Sequence, residues 1–256
     1  WLPPESFPDL SKYDEVAIDL ETKDPQLKTM GSGSVTGRGR IVGIALAVKD
    51  WSGYFPIAHE GGGNMDEKIV MDYFRTILNY PSTKIFHNAM YDVCFIRAAG
   101  LKINGTIVDT MIAGSLVDEN RFRYDLGSMG RDYLGRGKNE AVLNETAALW
   151  GVDPKSEMYK LPAMYVGEYA ERDAEMTLEL WQNMKQEIQH QDIQSIFDLE
   201  TELFPCLVDM RFLGVRVDIQ AANELKEKLS SEEKQCLLKV KKETGVDTQI
   251  WAARSI

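Results

Sequence analysis

The first predicted element is a strand with one apolar and one acidic face. Residues 14–24 read DEVAIDLETKD, in which three apolar residues alternate with polar ones. A period of two predicts a half-buried strand. The same period places Asp19 and Glu21 together on the opposite face, where two neighbouring carboxylates repel each other unless water or a cation screens them. The strand therefore raises the question of what its acidic pair binds.

Three further strands are predicted by apolar segments. Residues 41–48, IVGIALAV, are continuously apolar, as is typical of a central strand that is buried on both faces. Residues 53–58, GYFPIA, predict a hairpin partner for it, and residues 84–89, KIFHNA, predict a later strand. The glycine-rich segment 29–40, TMGSGSVTGRGR, predicts a mobile loop after the first strand.

Helical periodicity dominates the rest of the chain. Helices are predicted over residues 65–78, 90–99, 109–150 with breaks at glycine-containing turns, 165–184, 193–212 and 219–243. Pro205 is a candidate kink in one of them. Strands followed by helices predict an α/β or α+β fold around a mixed sheet, of which we take α/β. The helices after residue 189 predict a separate unit, which gives two domains, 1–189 and 190–256.

Composition and charge limit the possible functions. The 256 residues are 44% hydrophobic, enough for one large domain or one domain with a fragment of another. A net charge of −11 disfavours wrapping a long nucleic acid but suits a site that collects divalent cations. The cysteines and histidines are few and isolated, which predicts reduced cytosolic thiols and no zinc site. No signal peptide or membrane span is predicted.

Two more segments carry acidic residues in positions that suggest chemistry. In HNAMYD, residues 87–92, Asp92 opens a helix directly after a strand, where ligand sites of α/β proteins lie. In YAERDAEMTLEL, residues 169–180, Tyr169 and Asp173 share one helix face, which continues with apolar residues. An aspartate on an inward face must be paired or bound to a metal ion.

Each acidic residue also has a structural explanation when it is taken alone. A D-x-E sequence arises often by chance in a chain with 40 acidic residues. Asp92 could simply stabilise a helix N-terminus, and Asp173 could pair with Arg172 or another basic residue. The order of the three segments along the chain is more informative than any one of them.

This order resembles the three exonuclease motifs of the DEDD superfamily, tyrosine branch, in the 3′-5′ proofreading domain of polymerase-I-like family A DNA polymerases. The resemblance covers residues 13–181, and the loop sequences are similar to those of phage and related bacterial polymerases. Glu168 stands where the histidine branch would require His. Residues 197–218 resemble the segment that leads into the polymerase thumb, so fingers and palm are expected after residue 256.

The resemblance implies a fold, a cofactor and a set of site residues. The fold would be an RNase H-like mixed central sheet flanked by helices, followed by a helical thumb-like segment. Two Mg²⁺ or Mn²⁺ ions would be bound by four acids, with a tyrosine orienting the attacking water. The implied catalytic residues are Asp19, Glu21, Asp92, Tyr169 and Asp173, and the implied substrate contacts are Thr22, Leu27, Asn88 and Tyr91. Pro25 occupies the usual position of a wedge leucine, so either Pro25 or Leu27 would wedge the terminal base.

The implied function is removal of nucleotides from single-stranded or frayed 3′ ends of DNA, in a bacterial or phage-infected cytoplasm. One alternative is a free-standing exoribonuclease of the ribonuclease D type, which shares the four acids but lacks a thumb-like segment. Another is a non-catalytic RNase H-like scaffold, although a scaffold does not need a costly acidic cluster.

Overall fold

A mixed five-stranded sheet is the centre of the structure, a computed structural model that describes residues 1–249. The chain divides into two compact units, residues 1–212 and residues 213–256. In the first unit the strands are β1 (Glu15–Lys23), β2 (Arg40–Val48), β3 (Trp51–Pro56), β4 (Thr83–Phe86) and β5 (Ile107–Asp109), in the order β3-β2-β1-β4-β5. The first three strands are antiparallel, whereas β1, β4 and β5 run parallel.

Helices cover the sheet and follow it along the chain. They are α1 (Leu27–Met30), α2 (Gly33–Thr36), α3 (Glu67–Asn79), α4 (Ala89–Ala98), α5 (Thr110–Val117), α6 (Leu126–Leu134), α7 (Ala141–Trp150), α8 (Ala163–His190) and α9 (Gln194–Leu213), with a 3₁₀ turn at Met158–Lys160. The second unit contains α10 (Ile219–Thr244), which has no buried residue. None of the helices described is long and apolar enough to span a membrane.

Two apolar cores lie on the two faces of the sheet. Ile18 and Leu20 of β1 pack in one core with residues of α3 and α4, to which α9 adds Phe204 and Val208. Ala17 of β1 lies in the other core, with residues of α5, α6 and α8. Successive β1 side chains therefore point to opposite faces, as the alternation predicts.

Two local features differ from the expectation. Strand β5 was not predicted, because three residues are too few to show a period of two. A short helix, α2, lies within the segment 29–40 that was expected to be a loop, and α1 overlaps the start of that segment. Asp24 Oδ2 accepts a hydrogen bond from the Gly33 backbone N–H at 2.9 Å. Pro205, the candidate kink, lies inside α9.

A buried histidine connects the end of β3 to the segment before α8. His59 is 3% exposed. Its Nε2 lies 2.6 Å from the Tyr54 hydroxyl and its Nδ1 lies 3.0 Å from the Leu161 carbonyl oxygen. Burial lowers the pKa of His59 to about 4, so the ring is neutral in the folded protein at neutral pH.

The contribution of His59 to the free energy of unfolding should therefore fall as the solution is acidified. The unfolded chain binds a proton at His59 below pH about 6.5, whereas the folded chain binds it only near its lowered pKa. The full contribution of His59 to the free energy of unfolding is present above pH about 6.5. Acidification towards pH 4 lowers that free energy by up to about 3 kcal/mol. Urea unfolding at pH values from 4 to 8 gives the free energy of unfolding of the parent and of His59→Gln. The contribution of His59 is the difference between the two curves. The exposed His190→Gln is the control, and a His59→Gln curve parallel to the parent would contradict the prediction.

Candidate active site

The acidic pair on β1 lines an open groove of about 920 Å³. Asp19 and Glu21 lie on the same side of the strand, opposite Ala45 and Gly43 of β2, and both are half-buried. Burial and the charge of Asp173 raise the pKa of Asp19 to about 7. Burial and the charges of Asp19 and Asp173 raise the pKa of Glu21 well above its ordinary value. Ionising both carboxylates of the pair is therefore unfavourable unless a cation compensates their charge.

Asp92 reaches the same strand from the start of α4. The Asp109 carboxylate accepts hydrogen bonds from the Asn88 and Ala89 backbone at 2.9 and 2.8 Å, and so holds the turn where β4 leads into α4. Asp92 is 5% exposed, and its Oδ1 accepts a hydrogen bond at 3.0 Å from the backbone N–H of Leu20, between the two acids of β1. Burial and the Asp19 charge raise the pKa of Asp92.

Helix α8 supplies the fourth carboxylate and the tyrosine. Asp173 is 3% exposed, as expected for the inward face of this helix, and burial raises its pKa. Its Oδ2 accepts a hydrogen bond from Lys138, and its Oδ1 is buried without a hydrogen-bond partner among residues 1–249. Tyr169 lies one turn earlier and lines the groove. Asp173 does have a basic partner, which is Lys138. Arg172, the candidate next to it in the sequence, pairs with Glu175 instead.

Lys138 is a site residue that the sequence did not indicate. It lies between α6 and α7, and its Nζ is 2.5 Å from Asp173 Oδ2 and 3.0 Å from the Tyr169 hydroxyl. Burial alone lowers the pKa of Lys138, but the carboxylates of Asp173, Asp19 and Glu21 outweigh it and raise the pKa. The lysine is therefore charged and is the local counter-ion of the acids.

The four predicted substrate contacts all line the groove. They are Thr22, Leu27, Asn88 and Tyr91. The Thr22 and Tyr91 hydroxyl oxygens are 2.7 Å apart, which ties β1 to α4. Asn88 adopts a left-handed backbone conformation, with φ of 64°, at the N-cap of α4. Of the two wedge candidates, Leu27 lines the groove, whereas Pro25 is exposed and is not among the lining residues.

Basic residues that sequence reasoning missed form another part of the groove wall. Arg123, Arg131 and Lys155 line it together with the acids. Next to them, Phe122 is fully exposed and lies with Arg121 and Arg123 around a smaller pocket. These bases, together with Lys138, offset the charge of the acidic residues that line the same groove, which are Asp19, Glu21, Asp125 and Glu140. The only sequence signal was the sequence RFR at 121–123.

The acidic cluster has the oxygen donors that a hard divalent cation requires. Within residues 1–249 no three acidic, histidine or cysteine side chains converge tightly enough to enclose an ion. The ammonium of Lys138 instead neutralises Asp173. Four carboxylates with raised pKa values and the unpartnered Asp173 Oδ1 nevertheless match the oxygen ligands preferred by Mg²⁺ and Mn²⁺.

Comparison with known families assigns the chain. Residues 4–189 match the model of the 3′-5′ exonuclease domain of family A DNA polymerases. The chain belongs to this family. It is 34% identical over 254 residues to a DNA-directed DNA polymerase of Pseudomonas phage M6, covering 96% of this chain and 38% of that protein. The resemblance to phage polymerases is thus confirmed, and the chain spans little more than a third of that relative's length.

Solved structures of exonucleases and polymerases share the fold. The POL domain of Pol1 from M. smegmatis, in complex with DNA primer-template and dNTP, has a TM-score of 0.63 at 15% identity, over 95% of this chain and 36% of that one. Brucella melitensis NrnC with bound Mg²⁺ has a TM-score of 0.58 at 19% identity, over 80% of this chain and 89% of that one. The RNase H-like mixed sheet flanked by helices is confirmed.

Proposed function

We propose that the chain is a metal-dependent 3′-5′ exodeoxyribonuclease that removes nucleotides from DNA 3′ ends as the proofreading part of a family A DNA polymerase. The observation that carries the proposal is the convergence of Asp19, Glu21, Asp92 and Asp173 beside one groove, with Tyr169 at its wall. Carboxylates this close are costly in a protein unless a cation neutralises them.

The four acids would hold two Mg²⁺ or Mn²⁺ ions. When bound, such ions activate a water molecule as nucleophile and neutralise charge on the attacked phosphate. The chain's own contribution is the fixed direction of its carboxylates, which come from β1, α4 and α8. Burial and the nearby charges of Asp173, Glu21 and Asp19 raise the pKa of Tyr169 far above neutral pH. Its hydroxyl therefore keeps its proton and orients the attacking water by a hydrogen bond instead of accepting a proton.

A single-stranded DNA 3′ end is the substrate that best fits the groove. Arg123, Arg131 and Lys155 would contact phosphates, and Leu27 and Tyr91 offer apolar surface against which bases can stack. The exoribonuclease alternative shares the fold, but similarity to a phage DNA polymerase extends over 254 residues, well beyond the exonuclease match. That extent supports DNA as the substrate.

This function is tested by comparing the digestion rates of single-stranded, mismatched and fully paired 3′ ends. We expect a single strand, or a primer with mismatched terminal bases, to be digested at least about tenfold faster than a fully paired primer, because unpairing terminal bases costs a few kcal/mol. EDTA should stop all digestion. The measurement is release of nucleotides from internally labelled DNA, with RNA of the same sequence as a control. Equal rates on paired and mismatched ends would exclude proofreading, and preference for the RNA would favour the exoribonuclease.

The two-domain division is part of the proposal. Residues 1–189 would form the exonuclease domain, which agrees in extent with the family match, and residues 190–256 would begin the thumb region. The first compact unit extends further, to residue 212, because Phe204 and Val208 of α9 pack in its core. Residues 250–256 of the second domain lie outside the described residues. Fingers and palm would lie in the longer polymerase chain.

A further inference from the structure

We propose that Lys138 is a built-in counter-cation of the acidic site, which holds Asp173 in the metal-free protein and must be displaced when a divalent ion binds. This inference rests on the proposed metal-dependent function. Its basis is the pair of contacts from Lys138 Nζ, at 2.5 Å to Asp173 Oδ2 and 3.0 Å to the Tyr169 hydroxyl. The ammonium thus donates a hydrogen bond to Asp173 Oδ2, whereas Asp173 Oδ1 is buried and has no hydrogen-bond partner in the described part of the chain.

Electrostatics makes simultaneous binding of lysine and ion to Asp173 unfavourable. Asp173 is 4% exposed in its side chain, so its charge is poorly screened by water. A divalent ion held by this carboxylate would lie within a few ångströms of the ammonium, and like charges at that distance repel strongly in a partly buried site. One of the two cations must therefore give way, and the binding of each weakens the binding of the other.

The lysine can leave without disturbing the fold. Its side chain is 22% exposed and lines the groove, and it comes from the connection between α6 and α7. A four-carbon stem with freely rotating bonds lets the ammonium swing towards the open groove. There it would meet a phosphate of the proposed DNA substrate, a favourable partner for a charged amine. Displacement by the ion would thus move a positive charge to the substrate side.

Calorimetric titration of Mn²⁺ without nucleic acid tests the competition. Lys138→Met removes the charge but keeps the stem, and we expect it to bind Mn²⁺ about tenfold more tightly than the parent, within the usual range of coupling between two ligands. Lys138→Arg keeps the charge and should retain the parent's affinity. Lys49→Met is the matched control, because it removes the same charge at an exposed residue that lies outside the groove and has no ion pair within residues 1–249. Its affinity should stay near that of the parent.

The Mn²⁺ affinities of the parent and of Lys138→Met distinguish a failure of this inference from a failure of the proposed function. If Lys138→Met binds Mn²⁺ equally or less tightly than the parent, the lysine does not compete, and the inference is wrong. If the parent itself binds no Mn²⁺, the proposed metal-dependent function fails as well. Binding by the parent with no gain in Lys138→Met overturns the inference alone.

A measurement on the parent protein keeps the test independent of how the variants fold. Limited acetylation followed by peptide mass spectrometry reports the reactivity of each lysine, with Lys155 as the internal reference. Lys138 should react about tenfold faster with Mn²⁺ present than without it, the factor that corresponds to losing one charged hydrogen bond. An unchanged ratio of Lys138 to Lys155 acetylation would show that the ion pair persists, and would overturn the inference.

Discussion

Replacing Asp19 and Glu21 together by alanine should reduce 3′-end cleavage by at least about a thousandfold, because bound ions supply several kcal/mol of transition-state stabilisation and each 1.4 kcal/mol is a factor of ten. The fold should survive, since no hydrogen bond to either side chain occurs within residues 1–249. Loss of the like-charge pair should leave the metal-free protein as stable as the parent or more stable. Single-turnover digestion and thermal unfolding measure the two effects.

A control for this double variant removes the same charge elsewhere. Asp14 and Asp50 are exposed and lie outside the groove, so Asp14→Ala/Asp50→Ala changes net charge without changing the acidic cluster. It should cleave at the parent's rate. Cleavage retained by the purified, folded Asp19→Ala/Glu21→Ala protein would refute the assignment of these carboxylates. A variant that no longer folds would instead identify the pair as structural.

The second large effect concerns the Tyr169 hydroxyl. Tyr169→Phe keeps the ring that packs on the apolar cluster beneath α7 and α8, and removes only the hydroxyl that lies 3.0 Å from Lys138 Nζ. Loss of one hydrogen bond that positions the water should lower the cleavage rate by about 10- to 1,000-fold. Mn²⁺ affinity and thermal stability should change little, because the four carboxylates stay in place. Single-turnover rates under saturating Mn²⁺ are the measurement.

The matched control for the hydroxyl lies one turn earlier on the same helix. Tyr165 is partly exposed and lies outside the acidic groove, so Tyr165→Phe removes an equivalent group that is not aimed at the acids. It should cleave normally. If Tyr169→Phe also matches the parent within about twofold, the hydroxyl has no catalytic role and the tyrosine serves only in packing.

Those parts of the site that depend on local periodicity could be predicted from the sequence. A period of two places Asp19 and Glu21 on one face of β1, and the i, i+4 spacing places Tyr169 and Asp173 on one face of α8. Asp92 was found because α4 starts directly after β4. In each case the backbone period itself decides where the side chain points, so a short sequence is sufficient.

Features that depend on distant parts of the chain could not be predicted. Lys138 meets Asp173 across 35 residues, and nothing in its neighbourhood distinguishes it from an ordinary turn lysine. Strand β5 pairs with β4 along three residues, and Asp109 at its end accepts hydrogen bonds from the backbone at the starts of α4 and α5. Arg131 lies on α6, which packs on α8, whereas Arg123 lies in the connection before α6, and both line the groove. These positions follow from tertiary structure, which a reading of single segments does not contain.

The order in which the chain is synthesised decides when the acidic cluster can form. Strands β1, β2 and β3 are neighbours in sequence and can pair early. The α8 carboxylate, that of Asp173, follows Glu21 by about 150 residues. A ribosome adds that many residues in about 8–30 s, at about 5–20 residues per second. During that interval the β1 carboxylates lack their partner from α8. Under the proposed function, a nascent chain cannot cleave nucleic acid until α8 has emerged and packed, because Asp173 lies about 150 residues after Glu21 in the sequence.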